Sequence, residues 1–135
     1  MGVEIQSEGE VVFIRIESPI KAGDGVVWAE PVTRVARAGS GRAHIVAELE
    51  LGVSIPLAVF LAACRKALDL GHLIASLAFV AHGPAERTLT RAAATVIAPV
   101  YAVAYFDDVA SAKAWVAGRA AKLEAVGRQD ERASE

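Results

Sequence analysis

The chain has 135 residues, 54% of them hydrophobic and 22% charged, which fits one folded domain and excludes wholesale disorder. Fourteen basic residues against sixteen acidic ones leave a net charge of −2 with no long basic stripe, which argues against binding driven by nucleic-acid phosphates. The single cysteine, Cys64, excludes an intrachain disulfide.

Residues 3–6 and part of 10–17 alternate apolar and polar side chains, the period of half-buried strands. Ser7-Glu8-Gly9 between them reads as a hairpin turn, with Gly9 able to take a positive φ. Ser18-Pro19 ends the second strand, because proline has no donor for a ladder. Asp24 is expected to cap a first helical turn through Trp28. Pro31 opens a helix to Ala38, closed by Gly39 or Gly41. Residues 43–51 form a strand with Ala43, Ile45, Ala47, Leu49 and Leu51 on one face. Ser54 is the expected cap of a second helix, with Pro56 near its start and Gly71 at its end. Residues 73–81 are apolar on both faces, as in a central parallel strand. Gly83-Pro84 opens a third helix and Pro99 closes it. Residues 100–106 make the last strand, and Asp107 or Asp108 caps a final helix running to about Val126. Residues 127–135 read as a polar tail.

The order ββαβαβαβα predicts a single α/β domain over residues 1–126. It has about five strands in a mixed sheet, an N-terminal hairpin followed by parallel strands, and about four helices. Right-handed crossovers between adjacent parallel strands put the connecting helices on one face and leave the other less covered.

This order, with Asp24 and Pro31, the 43–51 strand, Ala98-Pro99, and Tyr105-Phe106-Asp107 followed by Ala112 and Ala114-Trp115-Val116, resembles the SpoIIAA-like family of small bacterial proteins. The resemblance implies the fold shared by STAS anti-sigma-factor antagonists and the lipid-binding CRAL-TRIO domain. It also implies contact with membranes or apolar ligands. STAS antagonists carry a phosphorylatable Ser or Thr in an Asp-Ser-Ser-Gly-like motif where the second helix begins. Here residues 51–56 read Leu-Gly-Val-Ser-Ile-Pro, so Ser54 is the one regulatory candidate and lacks the motif's neighbours.

On the second helix, Leu57, Phe60, Leu61, Cys64 and Leu68 form the expected core stripe. The opposite side carries Ile55, Val59 and Ala62, then Lys66 and Asp69. An outer face that begins with Ile and Val is read as burial under a neighbour or as contact with a lipid, a membrane surface or an apolar ligand. Arg65 and Lys66 would then meet phosphate groups at its edge. His82 ends a central strand, where ligands of open α/β sheets tend to bind, and is a further contact candidate. Leu123 and Val126 on the last helix are the expected homodimer contacts.

No nucleophile–base pair, metal-ligand spacing or glycine-rich phosphate loop is found in the sequence, so no catalytic residue, metal or cofactor is assigned. The N-terminal residues lack a basic segment followed by an apolar run. The longest uncharged apolar stretch, residues 51–64, is shorter than the roughly 20 residues that span a bilayer. The expected location is cytoplasmic, with peripheral membrane contact. The expected function is a non-enzymatic module for an apolar or lipid-like ligand. The alternative is a STAS-type protein-interaction module.

Overall fold

The computed structural model describes the backbone of residues 2–133 and the side chains of residues 2–121. The strands are β1 (Val3–Glu8), β2 (Val11–Ile16), β3 (Ala43–Leu49), β4 (Ile74–Ala81) and β5 (Ala102–Phe106). The helices are α1 (Ala29–Ala38), α2 (Leu57–Asp69), α3 (Pro84–Ile97) and α4 (Val109–Ala133). One mixed sheet has the order β1-β2-β3-β4-β5. β1 is antiparallel to β2, and the other neighbours are parallel.

The hairpin has a two-residue loop, because Glu8 pairs with Val11. Gly9 takes φ 58° there, a conformation that costs glycine little. Between β2 and α1 the chain makes a short 3-10 turn, Ala22–Gly25. Asp24 lies inside this turn rather than capping a longer one, and its Oδ2 accepts the Lys21 N–H at 2.8 Å. Helix α1 begins two residues before Pro31, which suits proline because the first-turn amides need no intrahelical partner. β5 begins at Ala102 rather than Val100, because the Val100 N–H is used in a turn to the Ile97 carbonyl at 2.9 Å.

Period-2 alternation divides the sheet into two faces. Val12, Ile14, Ile45, Ala47, Leu49, Leu77 and Phe79 pack with side chains of α1, α2 and α3. The connecting helices therefore share one face, as right-handed crossovers require. Val46, Ala78 and Val80 pack on the other face against Ala112 and Val116 of α4. That double cover is why all eight residues of β4 are buried. Asp108 starts α4: its Oδ1 accepts the Ser111 N–H at 2.7 Å. The bonds from Ser111 hold this carboxyl below its ordinary range. The side chains of Leu123 and Val126 lie outside the described residues, and α4 runs past its expected end near Val126 into the expected tail, to Ala133. Among the described residues, no helix is long and apolar enough to cross a membrane.

Candidate functional site

Between the sheet and the layer of connecting helices lies a cavity of about 120 Å³. Its floor includes Ile14, Ile45, Leu77 and Phe79. Trp28 and Gly25 line it ahead of α1, Ile55, Val59, Phe60 and Ala63 on the α2 side, and Leu89 and Ala93 from α3.

The cavity exists where it does because of small residues. A Cβ on Gly25 would lie 2.6 Å from the Val59 carbonyl oxygen, so only glycine lets this turn close against α2. Ala63 and Cys64, with Ala67 one helical turn further on, face the interior and fill it incompletely. Larger side chains at these positions would occupy the void.

The polar groups in the wall have partners within the chain, the Asp24 carboxylate through the Lys21 N–H. The Trp28 Nε1–H donates to the Gly25 carbonyl at 2.7 Å, and the Thr90 hydroxyl donates to the Arg87 carbonyl at 3.0 Å. The Tyr101 hydroxyl reaches the Ala67 carbonyl at 3.5 Å. Burial pushes up the pKa of both the Cys64 thiol and the Tyr101 phenol, so both stay protonated at neutral pH. Such a cavity offers dispersion and burial rather than hydrogen bonds. In general, an apolar cavity of roughly 150 Å³ suffices for benzene.

The expected contact residues divide. Ile55 and Val59 line the cavity instead of forming an outer face. Val59 is only 7% exposed. The outer face of α2 instead carries Leu57 and Leu61, 71% and 55% exposed, together with the exposed Leu68 and Arg65. The expected stripe is therefore turned by about a quarter of the helix circumference. The reason is packing: small residues let α2 approach the sheet, while the leucines stay outside. Ala62 and Lys66 are half-buried at the boundary.

Ser54 does not cap α2. The helix starts at Leu57 with Pro56 at the cap position, which leaves Ser54 too far upstream to reach the first free amides. Its own N–H donates to the Ser18 hydroxyl at 3.0 Å.

His82 is turned away from the cavity. Its Nε2 lies 2.8 Å from Glu48 Oε2, and Glu48 borders the α4 side of the sheet. Neighbouring charges are paired as well: Arg15 with Glu50, and Arg87 with Asp107 at 3.0 Å. Among the described residues, no three His, Cys, Asp or Glu side chains converge to hold a metal ion.

Trp28, Gly25 and the floor residues were not singled out as site residues by sequence reasoning. A visible signal was the cluster of small residues Ala62-Ala63-Cys64 with Ala67 on an otherwise leucine-rich helix.

Comparison of the chain with family models, curated proteins and solved structures finds no match.

Proposed function

We propose that this chain is a non-enzymatic binding module of the SpoIIAA-like type that takes a small apolar ligand in the cavity between α2 and the sheet. The observation that carries the reading is the cavity itself, about 120 Å³, walled mainly by apolar side chains, with the Trp28, Thr90 and Asp24 polar groups hydrogen-bonded within the chain. It matches a single ring or the end of an acyl chain. Burying six carbons at about 0.8 kcal/mol each gives roughly 5 kcal/mol, a Kd on the order of 0.1–1 mM for a benzene-sized ligand.

The exposed leucine row of α2 supports a second aspect of this reading, peripheral contact with a lipid surface. Leu57 and Leu61 are accompanied by Arg65, an apolar row with a cation suited to lipid phosphates.

The test uses Trp28 as reporter. Trp115→Phe leaves Trp28, in the cavity wall, as the sole tryptophan. Titration with toluene is expected to change its emission saturably. Adding Ala63→Leu is expected to remove the response while leaving stability equal or higher, because the new side chain fills a void. A folded Ala63→Leu protein that responds like its parent would overturn the assignment of the ligand to this cavity.

A further inference from the structure

The two edges of the sheet differ in chemistry. β1 carries Glu4, Gln6, Ser7 and Glu8. β5 reads Ala-Val-Ala-Tyr-Phe, with no charge and no proline. Its register with β4 runs unbroken from Ala102 to Phe106. Among the described residues it pairs with β4 alone, which leaves one row of backbone donors and acceptors without a strand partner. Natural sheets normally blunt such an edge with charge, proline or a bulge. β1 shows that device and β5 does not. Tyr105 on this strand and Val100 just ahead of it are each close to half exposed.

We infer that a second copy of this chain docks on β5, strand to strand and antiparallel, about a twofold axis at Ala104. This register sets Val103 opposite the partner's Tyr105 and Ala102 opposite the partner's Phe106. Directly opposed residues of an antiparallel pair share a face. Val103 and Tyr105 share one face by alternation, and Ala102 and Phe106 share the other. The aromatic–β-branched pairing therefore occurs twice. No like charges oppose each other, because Asp107 falls opposite the partner's Tyr101. Pairing β1 with itself would instead gather Glu4 and Glu8 of both copies on one face. One adhesive edge and one acidic edge give a closed twofold dimer rather than a fibre.

The test is the mass and the register. The intact chain is expected to run at twice its 14.1 kDa in light scattering after gel filtration. Tyr105→Lys is expected to halve that mass while the circular dichroism stays that of the folded protein. Ala104→Cys is expected to cross-link to itself under mild oxidation, because opposed Cα atoms lie about 4.5–5.5 Å apart in such a pair. Val103→Cys is expected not to, since its counterpart lies on a diagonal of about 7–8 Å. The native Cys64 is buried and gives little background. A monomer up to the solubility limit overturns the inference. So does a dimer that survives Tyr105→Lys and fails to cross-link at Ala104→Cys, which would place the contact elsewhere, Leu123 and Val126 included.

Discussion

His44 is a buried polar side chain outside the candidate site, 3% exposed, with its Nδ1 2.5 Å from the Ser76 hydroxyl. Burial lowers its pKa from the ordinary value of 6.5, and Arg119 adds to the effect while Glu10 opposes it. In the folded chain the ring is therefore neutral, whereas in the unfolded chain it takes a proton as pH falls through about 6.5. Its contribution to stability is present above that pH and is lost as pH falls toward the lower folded-state value. The urea midpoint is expected to drop between about pH 7.5 and about pH 5.5, with a His44 share no steeper than about 1.4 kcal/mol per pH unit. His44→Asn should flatten that share of the slope, and equal slopes would contradict the account. In the sequence, His44 is visible only as a member of the strand face that also holds Val46 and Glu48. Its burial depends on α4 crossing that face, which strand periodicity does not specify.

At the scale of elements, strand alternation and the proline and glycine boundaries were readable because each acts locally. The hairpin around Gly9, the start of α3 at Pro84 and the Asp108 cap follow from residues within a few positions. The orientation of α2 did not, because it is nearly apolar all round and its stripe is ambiguous. The choice between Leu57–Leu61 and Val59–Ala63 as the inner side is made by steric fit against the sheet and Gly25. This orientation has a direct consequence. Leu57→Ser with Leu61→Ser should change stability by no more than about 0.5 kcal/mol per site and should abolish cosedimentation with anionic phosphatidylglycerol vesicles. Val59→Ser, which puts a hydroxyl into the buried apolar wall, should cost about 1–3 kcal/mol. A larger loss from the leucine pair than from Val59→Ser, read from urea midpoints, would show that α2 sits the other way round.

At the scale of the whole molecule, the architecture was legible and the cavity was not. Element order and crossover handedness suffice for a five-stranded mixed sheet with its connecting helices on one face. A cavity is a small difference between packed volumes contributed by elements far apart in sequence, from Ile14 to Ala93. Only its ingredients, small residues on α2 and a glycine before α1, are visible one at a time. The occupant we propose for this cavity is an apolar ligand. The most direct measurement is a methyl NMR spectrum of isoleucine-labelled protein titrated with toluene. Ile14, Ile45 and Ile55, which line the cavity, are expected to shift saturably, while Ile5 and Ile74, which do not, stay in place. Unmoved cavity methyls at saturating toluene, or shifts confined to Ile5 and Ile74, would contradict the account.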